Sequence, residues 1–181
     1  NGSNDHHGGH ERGLESFKQF KPGVPWAYAI QARGHHDTDK IGHDAKLWLE
    51  KYVLGKDIAW PDHPRSALRL DAAGVPQLVV TPAEPERVKK VECFYAIKEP
   101  CSFTRSWRDA ASVRQGDSWM ASTPVMNVAD YLFAYANITY DNTVVLSTAF
   151  NAAIPARLGN AKATDAASDD ISSGSYSAWS H

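Results

Sequence analysis

Two short loops near the start of the chain hold the residues that can move protons. Asn1-Gly2-Ser3-Asn4-Asp5-His6-His7-Gly8-Gly9-His10 offers a carboxylate among turn formers, and Arg33-Gly34-His35-His36-Asp37 offers imidazoles directly after a glycine. A carboxylate bonded to an imidazole holds it in one tautomer and stabilises its protonated form. The imidazole can then take a proton from a hydroxyl nucleophile and return it to a leaving group. Asp5 is the candidate acid. His35 is the candidate base, because Gly34 lets the backbone turn immediately before it, and His36 is the alternative base. Asp37 is placed to cap the following helix or to pair with either histidine.

Histidine is also a zinc ligand, and His6, His7 and His10 are dense, with His43 further on. Their spacing matches no closed metal motif and no second Cys or His cluster accompanies them, so a polar entrance loop explains them more simply. The reading calls for no cofactor.

The elements between the loops must bring acid and base together. From Gly9 to about Phe20 a helix is predicted, with Leu14, Phe17 and Phe20 on one side and Glu11, Arg12, Glu15 and Lys18 toward solvent. Lys21-Pro22-Gly23 ends it. Trp26-Ala27-Tyr28-Ala29-Ile30 is a continuous apolar run, as in a strand covered on both faces. Beyond the second loop, Ile41, Ala45, Trp48, Leu49 and Tyr52 recur at helical spacing, predicting a helix pinned to the sheet by that face and stopped at Gly55. Helix, turn, strand and helix thus open both loops at one sheet edge.

The character of the chain changes near residue 57. Prolines stand at positions 61, 64, 76, 82, 85 and 100, and short β-type runs replace helical ones: Gln77 to Thr81, Val91 to Ile97, Trp119 to Ala121, Leu132 to Tyr140 and Thr143 to Ser147. Gly116-Asp117 and Asp141-Asn142 supply turns between them. This spacing predicts an antiparallel β-sandwich or jelly-roll extension over residues 57–181, joined to an α/β unit over residues 1–56. Leu132 to Tyr140 is expected to be the central strand. From Asn160 onward Ala, Ser, Asp and Gly predict an exposed loop, with Tyr176 and Trp179 suggesting a strand left unfinished.

Bulk composition bounds the rest. The 181 residues are 43% hydrophobic, enough for a real core, and carry a formal net charge of −2. Without a run of Lys or Arg there is no electrostatic footprint for nucleic acid or an anionic membrane, and no apolar run approaches a membrane span. Cys93 and Cys101 are too few for a disulfide framework; a bridge across a hairpin and two free buried thiols are equally consistent with the sequence. The sequons at Asn1 and Asn137 matter only in a eukaryotic secretory route.

The order of acid loop, helix, strand, histidine loop and helix resembles the last third of the α/β-hydrolase fold, in which Ser, Asp or Glu, and His follow one another on successive strand ends. More narrowly, Asn-Gly-Ser-Asn-Asp at positions 1–5, Gly23-Val24-Pro25-Trp26, Gly34-His35 and the helix through Trp48 are similar to bacterial esterases of the acetyl-xylan-esterase or dienelactone-hydrolase kind with a β-rich extension. Phe103-Thr104-Arg105-Ser106-Trp107-Arg108, Trp119 and the Phe133 to Tyr140 run are similar to segments of such proteins and of PhoPQ-activated pathogenicity-related proteins. The resemblance implies a serine-type ester hydrolase acting on a small-molecule or polysaccharide ester, secreted or periplasmic, with Asp5 as triad acid and His35 as base. It departs from the family in one respect: no Gly-x-Ser-x-Gly nucleophile elbow is present. Ser172-Ser173-Gly174-Ser175-Tyr176-Ser177 follows the histidine and lies in a polar tail. The expectation is therefore a fragment whose nucleophile and oxyanion donors lie upstream.

A second class remains open: a non-catalytic carbohydrate- or partner-binding β module, suggested by the aromatic-rich second half and the missing nucleophile. Arg105, Trp107 and Arg108 are candidates for a sugar-binding face, although tryptophan in a sandwich more often serves the core, with arginine at its rim.

Overall fold

A computed structural model describes residues 2–5, 16–17, 19–34 and 42–164. Among these, nine strands form two antiparallel sheets, as the extension was expected to do. The first sheet has the order β1 (Arg65–Leu70), β2 (Pro76–Thr81), β6 (Ser118–Ser122), β5 (Ser112–Gln115). In the second, β4 (Arg108–Ala110), β3 (Val88–Ile97), β7 (Leu132–Tyr140) and β8 (Val145–Ser147) follow one another, and β9 (Asn151–Ala153) pairs with the other half of β7. The long β3–β7 ladder, from Val88↔Tyr140 to Ile97↔Leu132, forms the spine.

The burial patterns of the two sheets explain their composition. Along β2 buried and half-buried residues alternate, so Leu78 and Val80 face inward while Gln77, Val79 and Thr81 face out. That is the pattern of a sheet covered on one side. In β7 every residue from Leu132 to Ile138 is buried, because both faces are covered. Its inner residues Leu132, Ala134, Ala136 and Ile138 meet Leu78, Val80, Trp119 and Ala121 of the first sheet. Its outer residues Phe133 and Tyr135 join Phe94, Ala96, Trp107, Tyr28 and Ile30 in a second core.

That outer core ties in the N-terminal segment. Residues 26–30 run extended without a strand ladder, contrary to the expected parallel-sheet strand. Their backbone is satisfied by one main-chain bond and two side chains instead: Ser147 N donates to Tyr28 O at 2.8 Å, Ile30 N to Ser147 Oγ at 2.7 Å, and Asn137 Nδ2 to Ile30 O at 2.8 Å. Ser147 Oγ closes the clasp by donating to Asn137 Oδ1 at 2.6 Å. Asn137 is thus buried within the sheet rather than displayed as a glycosylation site. Thr148 fills the break between β8 and β9, its N donating to Ala136 O and its Oγ1 accepting from Ala136 N.

Helix α1 (Gly42–Tyr52) forms where the periodicity placed it, but a different face is turned inward. Of the predicted face, Ala45, Leu49 and Tyr52 are exposed, Trp48 is half-buried and Ile41 lies outside the described residues, whereas Leu47 packs on the main core and the buried Asp44 accepts a hydrogen bond from Val145 N at 3.2 Å. An open N–H on an edge strand needs an acceptor, and a carboxylate in the first helical turn provides one while complementing the helix dipole. The helix expected from Gly9 lies outside the described residues except for Ser16 and Phe17, which are helical. Residues 165–181, with Tyr176 and Trp179, also lie outside them.

Both cysteines are free. Cys93 is buried on β3 and burial pushes its thiol pKa up to about 12, while Cys101 is exposed. A thiol held neutral in this way is a poor nucleophile for exchange.

Replacing Asn137 with Ala leaves Ile30 O and the Ser147 hydroxyl without these partners inside the core. Each group left unsatisfied costs about 1–3 kcal/mol, so the free energy of unfolding should fall by on the order of 2 kcal/mol, read as a lower urea midpoint at unchanged m-value. A loss within the roughly 0.5 kcal/mol typical of surface changes would show that the clasp does not hold the segment.

Candidate acid–base loop pair

The loop that contains Asp5 and the loop that leads to His35 lie side by side. Gly2 and Gln31 form a parallel bridge, a contact in the sense expected of neighbouring strands in a parallel sheet. Ser3 N donates to Gln31 O at 2.8 Å and Asn4 N to Gly34 O at 2.9 Å. The residue before Asp5 is therefore bonded through its backbone to the residue before His35. His35, His36 and Asp37 lie outside the described residues, as do His6, His7 and His10. No group of three or more metal-ligating side chains gathers among the described residues.

Each loop is held by identifiable contacts. Asp5 N donates back to Gly2 O at 3.1 Å, closing a turn, and Gly34 N donates to Gln31 O at 3.3 Å, closing another. Ser3 is fully buried; its Oγ accepts from Arg33 N at 2.7 Å and donates to Asn4 Oδ1 at 3.1 Å. Arg33 adopts a left-handed backbone, φ 60°, which is uncommon outside glycine and carries strain. Surrounding bonds hold it there: Nε donates to Trp107 O at 3.1 Å, and the guanidinium pairs with Asp109 at 2.7 Å. That pair is largely exposed and contributes orientation more than stability. A Cβ at Gly34 would come within 3.0 Å of the Gln31 side chain, so the residue before His35 has little room to be anything larger.

Asp5 is itself buried, 5% exposed, unlike a turn former on the surface. The neighbouring Asn4 Nδ2 donates to Arg105 O at 2.8 Å and lies 3.3 Å from the carbonyls of Ser102 and Phe103. Arg105 is also buried, its guanidinium 3.7 Å from the centre of the Phe133 ring and donating to the carbonyls of Glu99 and Pro100. It is not the rim residue that composition suggested. Trp107 belongs to the outer core at 4% exposure and offers no open face to a sugar. Burial raises the pKa of the Tyr135 phenol, with the Ser3 side chain acting weakly against it, so this hydroxyl stays protonated under the acid loop.

Sequence reasoning missed His63. Its ring stacks on Trp26, centroids 3.7 Å apart, and its Nε2 lies 3.1 Å from Trp26 O. Trp26 also stacks with Phe17, centroids 4.9 Å apart. Only the nearby prolines, Pro61 two residues before it and Pro64 directly after, hinted at a fixed position.

No family model and no curated protein matches the chain. Among solved structures it is similar to one titled "Crystal structure of Br derivative BhCBM56", at 9% identity and a TM-score of 0.39, over 54% of this chain and 96% of that one. Likeness at that level bears on neither the activity nor the ligands of the chain.

Burial lowers the pKa of His63 below its ordinary 6.5, outweighing the Trp26 carbonyl and Asp62, which raise it. The folded state therefore binds the proton less well than the unfolded state. Its contribution to stability is complete above about pH 6.5 and is lost as pH falls toward the folded value. His63→Phe, which keeps an aromatic face against Trp26, should flatten the fall in urea midpoint between pH 7.5 and 5. An unchanged slope would assign that fall to other groups.

Proposed function

We propose that this chain supplies the acid and base of a serine-type carboxylic ester hydrolase. Residues 1–56 are, on this reading, the C-terminal portion of an α/β-hydrolase domain, and residues 57–181 are its β extension. Asp5 is the acid and His35 the base, with His36 the alternative. The nucleophilic serine and oxyanion donors come from outside these residues. The supporting observation is the Asn4 N to Gly34 O hydrogen bond of 2.9 Å beside the parallel Gly2–Gln31 bridge, which sets the start of one loop against the other.

The chemistry follows from those roles. His35 takes the serine proton as the serine oxygen bonds to the acyl carbon, and the imidazolium returns it to the departing alcohol. Water then attacks the acyl-enzyme with His35 again as base, releasing the acid and the free serine. Asp5 stays ionised throughout and stabilises the imidazolium. The ester is small or carried on a carbohydrate, and the enzyme works in the periplasm or outside the cell; both rest on the family resemblance alone.

In the protein that carries this segment with its nucleophile, His35→Ala should lower turnover of p-nitrophenyl acetate on the order of a millionfold. Asp5→Asn should lower it about ten-thousandfold, the loss known for such an acid in a serine protease. In the 181-residue chain, Asp5→Asn should also move the ring nitrogen NMR signals of His35 and leave those of His36 in place. Near-normal hydrolysis by His35→Ala would sink the assignment, and a response confined to His36 would transfer the role of base.

A further inference from the structure

We propose that Asn4 is a positioning residue for the acid, and that through it the β extension sets the place of Asp5; this rests on the acid–base reading above. Ser102–Thr104 forms a turn of 3-10 helix, closed by Arg105 N donating to Ser102 O at 3.4 Å, with the carbonyls of Ser102, Phe103 and Arg105 turned toward Asn4. The Asn4 amide caps them, 2.8 Å from Arg105 O and 3.3 Å from the carbonyls of Ser102 and Phe103. The capped turn is itself anchored. The Arg105 guanidinium lies over the Phe133 ring at 3.7 Å, and it donates to Glu99 O at 3.1 Å and Pro100 O at 2.7 Å. Phe133 belongs to β7, the strand paired along its length with β3.

A rigid path therefore runs from the centre of the second sheet to the residue adjoining the acid. Asn4 also joins the two loops, since its N donates to Gly34 O and its Oδ1 accepts from Ser3 Oγ. One residue thus holds the Asp5 backbone between the base loop, through its own backbone N–H, and the extension, through its side-chain amide. Asparagine suits this place because it offers an amide donor to the carbonyls and an acceptor to Ser3 at once. Aspartate would set a carboxylate against those carbonyl oxygens.

The test measures kcat and KM with p-nitrophenyl acetate in the protein that carries this segment with its nucleophile, for Asn4→Leu and for Arg105→Lys. The lysine keeps a cation over Phe133 but loses the fork that reaches two carbonyls. A misplaced acid of about 1 Å should lower kcat roughly a hundredfold with KM unchanged. The His35 ring nitrogen signals in the folded variants should shift toward those of Asp5→Asn. A purely structural role would lower the melting temperature while leaving kcat of the folded fraction and the His35 signals as in the parent, and that result would overturn the proposal. Should Asn4→Leu not fold, Arg105→Lys carries the same readouts. If His35→Ala and Asp5→Asn abolish hydrolysis while both variants leave kcat intact, the positioning role alone fails. If His35→Ala itself retains hydrolysis, the acid–base reading fails first.

Discussion

The outer face of the second sheet is apolar and has to be covered, and much of the remaining structure follows from that. Phe94, Ala96, Phe133 and Tyr135 lie on the face turned away from the first sheet. Left in water they would forfeit roughly 1.5–3 kcal/mol for each large side chain. Trp107 and Phe150 from the extension cover part of it, and Tyr28, Ile30 and Trp26 from the N-terminal segment cover the rest. Ring packing orders this layer: Trp107 meets Tyr135 edge to face at 5.0 Å, and Phe94 stacks on Tyr135 at 5.2 Å. The N-terminal segment is thus part of the hydrophobic economy of the sandwich.

Burying that segment creates a second demand, because its backbone groups leave water without a ladder to join. Asn137 and Ser147 meet it. A polar pair inside an otherwise apolar face costs free energy unless every atom is bonded. Here the amide and hydroxyl serve Ile30 on one side and each other on the other. The same arrangement fixes the register of residues 28–31 and thereby the place where Gln31 meets Gly2 and Ser3. The geometry of the two loops is consequently set by a clasp in the sandwich, far from either loop in sequence.

Legibility in the sequence followed locality. Leu132–Tyr140 was readable to its ends, since a run buried on both faces is apolar at nearly every position. Gln77 to Thr81 showed as a short β-type run between turn signals. The strands that escaped notice, Arg65–Leu70, Arg108–Ala110, Ser112–Gln115 and Asn151–Ala153, are short or carry charges, as edge strands do to resist pairing with other chains. In α1 the period was correct and the face was not, because Asp44 is recruited by a strand 101 residues away, a partner no local pattern contains. Asp5 stood out as a candidate through its loop and the αβ order after it. Asn4 did not, since the carbonyls it caps lie about a hundred residues downstream and have no side-chain signature.

The placement of Asn4 and Arg33 bears on why an acid loop would be built into such a seam. An exposed Asn-Asp turn samples many conformations, and a carboxylate that wanders cannot hold an imidazole in one tautomer. Here the loop is buried from Gly2 to Asp5, the facing loop is strained at Arg33, and both are clamped by bonds to Ser102–Arg105, Trp107 and Asp109. Strain of this kind persists only where the surroundings over-determine it. Those surroundings belong to the β extension. Removing the extension would therefore release the strain and the loop together, so on the proposed reading the extension and the acid–base pair form one functional unit.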